Sequence, residues 1–385
     1  MENLLNTQVK SIELSGIRRF FNMVSDEKDI ISLTIGQPDF VTPTHIKEAT
    51  IQALHTNKTT YTNNAGIPEL RKAISNFYEK KYNVHYNPDN EIIVTAGASQ
   101  AIDIVFRTIL NPGDEVILPS PIYPGYEPLI TLAGAIPVYV DTTQADFKLT
   151  KNSLSNAITE RTKCVVLPYP SNPTGASFTK DELRNLVDVL KQKNIFILAD
   201  EIYSELVYDD THTSIASFQQ VKDRTIVVNG LSKSHSMTGF RIGYTLAPNW
   251  LTKHLLKVHQ YNVSCASSIS QYAALEALTN GVNDPERMKE TYRVRRDFVY
   301  NRLMDMGLSV NKPNGAFYLF PRFPDTTLNS FELGVDLVKK GKVAIVPGGS
   351  FTYLGEGYMR LSYAYDMKTL EEGIIRIERY LYEHF

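Results

Sequence analysis

Seven short runs of apolar, often β-branched residues punctuate the middle of the chain, and stretches with helical spacing separate them. The runs are EIIVTAG (91–97), DEVILPS (114–120), AIPVYVD (135–141), KCVVLPY (163–169), NIFILAD (194–200), RTIVVNG (224–230) and RIGYTLA (241–247). A strand with one wet face alternates apolar and polar residues, whereas a run that is apolar at nearly every position is buried on both sides. Segments such as SQAIDIVFRTIL, and the stretch from Lys180 to about Gln192 with Leu183, Leu186, Val187 and Leu190 on one face, supply helices to cover those sides. The expected fold is α/β, with a mostly parallel seven-stranded sheet sandwiched by helices. Ligands of such sheets sit beyond the carboxyl ends of the strands, so the residues that follow each run are where chemistry is expected.

A chain of 385 residues exceeds one ordinary hydrophobic core. Past about residue 285 the pattern changes to a long charged helix (PERMKETYRVRRDFVYNRLMDMG), the shorter strands GAFYLF, VAIVPG and YMRLSYA, and a closing helix. This predicts a large domain over 46–285 and a smaller α+β domain over 286–385, with 1–45 forming an N-terminal arm that joins the small domain in part. The charge is balanced, at a net −2, which points to small-molecule partners rather than nucleic acid or an anionic membrane. Two cysteines make no disulfide framework, and Cys164, within CVVL, reads as a buried thiol. The N-terminus has no signal-peptide pattern and no apolar run approaches membrane-spanning length, so a cytoplasmic protein is expected.

Four strand ends carry polar residues of one chemical kind. Gly97-Ala98-Ser99 stands between a strand and a helix, where free N–H groups and a hydroxyl form an anion site; a tight turn with a Ser N-cap is the structural alternative. The GxGxxG dinucleotide fingerprint is absent. Asp200 ends NIFILAD, with Tyr203 three residues on, and a carboxylate there needs a partner. A protonated ring nitrogen would serve, as would a helix cap or an ordinary ion pair. Lys233, after Ser232, leaves the apolar end of TIVVNGL, where desolvation would lower its proton affinity and make it a nucleophile; a solvent-facing lysine is the alternative. Arg241 could lend a neighbouring charge or bind phosphate with two donors. Asn172, in SNPTG, either donates to a ring oxygen or simply completes a turn. Each signal is ambiguous alone. Together they provide an anion cradle, a buried acid, an amide donor and an activatable amine at one sheet edge, which is what an enzyme binding pyridoxal 5′-phosphate through lysine requires.

At these residues the chain resembles the fold-type I pyridoxal-phosphate enzymes, specifically the class I and II aminotransferases. The matching stretches are SLTIGQPDF (32–40), YTNNAGIPELR (61–71), TAGASQAI (95–102), PSPIYPGY (119–126), PSNPTG (170–175), LADEIYSEL (198–206), NGLSKSHSMTGFRIGY (229–244) and YMRLSYA (358–364), in family order over almost the whole chain. NGLSKSHSMTG and HQYNVSCASSISQ carry a nearer likeness to the N-acetyl-LL-diaminopimelate aminotransferase branch of lysine biosynthesis. The resemblance implies an aspartate aminotransferase-like fold and an exchange between an amino acid and a 2-oxo acid such as 2-oxoglutarate. Lys233 would bind the cofactor covalently and shuttle a proton. Asp200 would pair with the ring nitrogen, Asn172 and Tyr203 would bond the ring oxygen, and Tyr123 would stack on the ring. The Ala98 backbone, Ser99, Ser232 and Arg241 would hold the phosphate. Tyr61 would reach the phosphate from the neighbouring subunit of a homodimer. Arg360 would grip the substrate α-carboxylate, Gly36 would let the backbone approach it, and Arg18 or Arg19, in SGIRRFF, would meet a second carboxylate.

Aspartate and aromatic aminotransferases share these motifs, and a pyridoxal-phosphate C–S lyase shares Lys233 and Asp200. A regulator built on this fold would need a DNA-binding domain ahead of it, and the motifs begin within the first forty residues.

Overall fold

The run-and-helix pattern of the sequence is built into a seven-stranded sheet in the computed structural model, which describes residues 1–24 and 27–385. The strands in chain order are β1 (Ile31–Ser32), β2 (Ile92–Thr95), β3 (Glu115–Ser120), β4 (Ile136–Asp141), β5 (Thr162–Pro168), β6 (Phe196–Asp200), β7 (Thr225–Gly230), β8 (Gly243–Leu246), β9 (Tyr318–Leu319), β10 (Val343–Ala344), β11 (Val346–Pro347) and β12 (Met359–Ser362). The large sheet has the order β2-β8-β7-β6-β5-β3-β4. Pairs among β3 to β7 are parallel, and β8 alone runs against its neighbours β2 and β7.

The apolar runs explain this layering. Along β5, Cys164 and Val166 face one core while Val165 and Leu167 face the other, and Val116, Ile117, Ile197 and Leu198 divide in the same way. Two apolar faces per strand require helices on both sides of the sheet. One of them, Gly97–Ile109, packs against β7 and β8. Cys164 is buried, and that burial pushes its thiol up to about 12. Among the described residues no helix is long and apolar enough to cross a membrane.

A third core gathers Tyr292, Phe317, Leu337, Leu361 and Ile374 around the helices Asp284–Asp305, Ser330–Gly341 and Met367–His384. Leu33, from the N-terminal segment, sits in this core, because β1 pairs in parallel with β10 and the Ser362 N–H donates to the Leu33 carbonyl. VAIVPG, expected as one strand, is two: β10 pairs with β1, and β11 with β12, on either side of Ile345. The run changes partners midway because the chain from the N-terminus claims its first half, a contact that no local pattern encodes.

Candidate active site

Parallel strands deliver their carboxyl ends to one edge of the sheet, and β8, being antiparallel, delivers its amino end there. Gly243 accordingly stands opposite both Thr95 and Gly230. This register is why Arg241, two residues before β8, joins residues that follow β2 and β7. Gly243 must lack a side chain, since a Cβ there would lie 2.6 Å from the Ala98 nitrogen. Gly97, at φ +80°, occupies the left-handed region, and a Cβ on it would lie 2.6 Å from an Arg241 guanidinium nitrogen. Arg241 is itself left-handed, at φ 49° after the short 3-10 turn Thr238–Phe240, a conformation costing a non-glycine residue about 1–2 kcal/mol. Ser99 lies inside the first turn of Gly97–Ile109 and does not cap it; Ala96 takes the N-cap position, and its N–H donates to the Gln100 side chain at 2.7 Å.

A cavity of about 580 Å³ opens at this edge, within the usual range for a small-molecule site. Its walls include Gly36, Ala98, Ser99, Tyr123, Asn172 and Asp200. Tyr203, Ser232, Lys233, Arg241, Arg360 and Arg18 complete the sequence-nominated set. Tyr61 stands outside it, 87% exposed on the surface of the chain.

Lys233 is half-buried, with its Nζ donating to the Gly36 carbonyl at 2.6 Å. Burial first, and then the positive charges of Arg360 and Arg241, lower its pKa to about 8, against the opposing pull of Asp200. Asp200 is buried at the end of β6, where the Tyr126 hydroxyl donates to Oδ2 at 2.6 Å and the Ile202 N–H to Oδ1 at 3.2 Å. No cation forms an ion pair with Asp200 among the described residues, and burial outweighs these donors, so its proton affinity is raised. A cationic N–H in the cavity would reverse that shift.

Arg360, on β12, is almost fully buried. Its Nη1 donates to Asn172 Oδ1 at 2.9 Å and its Nη2 to the Thr34 carbonyl at 2.6 Å, while its Nε has no hydrogen-bond partner among the described residues. Tyr318 and Phe351 lie under its guanidinium at 4.4 and 5.1 Å. Because Asn172 accepts through its oxygen, its amide N–H groups remain available as donors. The Tyr203 hydroxyl meets that of Tyr318 at 2.8 Å.

Two residues of this site escape sequence reasoning. Tyr126 lies in the quoted stretch PSPIYPGY, and its place at the start of a helix three residues after Tyr123 is a usable signal. Tyr318 carries none: GAFYLF reads only as a strand, and the packing of β9 beside β12 is what places the ring under Arg360.

The chain also resembles known proteins along nearly its whole length. The family model described as "Aminotransferase class I and II" matches residues 28–377. A Bacillus subtilis protein described as "Probable N-acetyl-LL-diaminopimelate aminotransferase" is 58% identical over 381 residues, covering 99% of this chain and 96% of that one. An aspartate aminotransferase of Pyrococcus abyssi is 41% identical, covering 98% of each. Among solved structures, an aromatic aminotransferase from Pyrococcus horikoshii superposes with a TM-score of 0.90 at 40% identity, covering 95% of this chain and 99% of that one.

Proposed function

Since this chain belongs to the class I and II aminotransferases, we propose that it binds pyridoxal 5′-phosphate through Lys233 and takes N-acetyl-LL-diaminopimelate as its amino donor, with 2-oxoglutarate as acceptor. The observation that carries the cofactor reading is the state of Lys233, a half-buried amine with its pKa near 8, beside a buried acid that forms no ion pair among the described residues. The identity of 58% to the Bacillus relative supports the choice of donor.

Pyridoxal phosphate, when bound, supplies an aldehyde that amines condense with and a protonated pyridine ring that draws in electrons. Asp200 would hold the proton on the ring nitrogen, and Tyr126 keeps that carboxylate aimed. The Asn172 amide and the Tyr203 hydroxyl would donate to the ring oxygen, and Tyr123 would cover a face of the ring. The first-turn N–H groups at Ala98 and Ser99, the hydroxyls of Ser99 and Ser232, and Arg241 form the anion cradle that the phosphate requires. Arg360 would receive the α-carboxylate, through its unpartnered Nε and by exchanging its protein acceptors for the substrate. With the α-carboxylate held there, the Lys233 Nζ would take the proton from the substrate Cα. Gly36 permits this closeness: its carbonyl already holds the Lys233 amine, and a Cβ would lie 3.0 Å from the Tyr318 hydroxyl.

The proposal includes a homodimer in which the exposed Tyr61 of each copy reaches the phosphate site of the other; a monomeric mass by sedimentation would remove this part. It also divides the chain into a large domain over 46–285 and a small domain over 286–385 with residues 1–45 attached in part, which limited proteolysis at those junctions would test.

Cofactor-free protein is expected to take up pyridoxal phosphate at a rate that rises about tenfold per pH unit below about 8 and levels off above it, since only the neutral amine attacks. Continued rise to the value of about 10.4 of a free lysine would contradict the buried setting. In a donor screen with 2-oxoglutarate, N-acetyl-LL-diaminopimelate is expected to give the highest kcat/KM. Preference for aspartate or aromatic amino acids would move the chain to a sister activity, and release of ammonia from the donor would indicate a lyase.

A further inference from the structure

Helix Gly16–Val24 carries arginines at two successive positions, and the fold sends them to different places. Arg18 lines the cavity that contains Lys233 and Arg360. Arg19 lines a second cavity, of about 910 Å³, and Tyr123 belongs to the walls of both. The division follows from helix geometry, since neighbouring residues project about 100° apart.

Among the described residues Arg19 has no carboxylate partner in this second cavity, although four glutamates share the walls with it. Three of them are engaged elsewhere: Glu332 accepts from the Asn329 N–H at 3.1 Å, Glu356 accepts from the Ser330 N–H and hydroxyl at 2.8 and 2.9 Å, and Glu127 accepts from Tyr139. The fourth, Glu13, is exposed to solvent. The Arg19 guanidinium lies over the Phe331 ring at 5.3 Å. Stacking occupies a guanidinium face and leaves its N–H edge free for an anion.

An aminotransferase that exchanges glutamate with a diaminopimelate derivative has to fix both α-carboxylates at one place, yet the far carboxylates end at different distances. The longer substrate has two more carbons in its arm and an acylamino branch. We propose that the two arginines sort substrates by length. Arg18 pairs with the distal carboxylate of the short dicarboxylic substrate inside the first cavity, and Arg19 pairs with that of the long, N-acylated donor, whose arm passes Tyr123 into the second. The identity of the long substrate rests on the donor reading above; the division by length does not.

Steady-state kinetics test this on the holoenzyme, its Arg18→Ala and Arg19→Ala variants, and Arg19→Lys, with glutamate, 2-aminoadipate, 2-aminopimelate and N-acetyl-LL-diaminopimelate as donors. In Arg19→Ala the ratio of kcat/KM for the long donors to that for glutamate is expected to fall about tenfold, through KM, with partial recovery in Arg19→Lys; in Arg18→Ala the ratio is expected to rise. Activity on glutamate reports that the Arg19 variants are folded, and activity on the long donors reports that Arg18→Ala is. Equal losses on short and long substrates, or no change of the ratio in Arg19→Ala, would overturn the division. If 2-aminopimelate shows the shift while wild-type enzyme rejects N-acetyl-LL-diaminopimelate, the division stands and the donor reading fails.

Discussion

Replacing Lys233 with alanine is expected to lower transamination by at least about 10⁴-fold, because one amine is asked to do two things. In the proposed reaction it attaches the cofactor, and it moves the proton from the substrate Cα. Its setting serves both: burial and the charges of Arg360 and Arg241 bring its pKa to about 8, and the Gly36 carbonyl holds the Nζ at 2.6 Å. The variant should still take up pyridoxal phosphate, since Asp200, Arg241 and the first turn of helix Gly97–Ile109 are untouched. That uptake should be reversible on dialysis, and borohydride should fix no cofactor to the peptide containing residue 233. Turnover within tenfold of wild type, or trapping at another lysine, would remove Lys233 from the reaction.

Asp200→Asn is the second large effect, expected at about 10²–10³-fold in kcat/KM, the scale of losing one preorganised electrostatic contact. The carboxylate lies buried and, among the described residues, has only the Tyr126 hydroxyl and the Ile202 N–H as donors, a setting that raises its proton affinity until a cation arrives. An asparagine is isosteric, keeps the Ile202 contact through its oxygen, and cannot balance the positive charge on a ring nitrogen. The loss should therefore appear in kcat more than in cofactor affinity. Wild-type kcat with weakened cofactor binding would mean that Asp200 only anchors. Adding Tyr126→Phe to Asp200→Asn should cost little more, because Tyr126 acts through that carboxylate.

The legible part of the site lies where strand ends and chemistry coincide. Asp200 is the last residue of β6. Lys233 follows the last residue of β7 by three positions and Ser99 follows that of β2 by four. Knowing only that parallel strands share one edge is enough to bring these residues together. The local alternatives for each fail for a tertiary reason. Ser99 is as good an N-cap as an anion donor in its own segment, but the helix starts so that Ala96 takes that position. Lys233 is as good a surface lysine in its own segment, but the N-terminal segment closes over it with Gly36.

Other features have no local signature. Whether VAIVPG forms one strand or two depends on β1, more than three hundred residues away. The platform that Tyr318 makes beneath Arg360 depends on β9 packing beside β12, each too short to show a period. The direction of Arg18 against Arg19 is a matter of helix phase relative to two cavities, and SGIRRFF reads the same either way.

Period and composition act over a few neighbouring residues, and parallel strands turn their carboxyl ends to one side of the sheet. The strand runs, their burial on both faces, and the acid, amine and anion-binding residues at their ends are therefore written locally in the chain. Which distant segments close the cavity is set by packing alone: residues 31–36 against Lys233 and Arg360, and β12 against Asn172. Those contacts join residues 188 to 326 positions apart, and side-chain packing over such separations leaves no periodic mark in the chain.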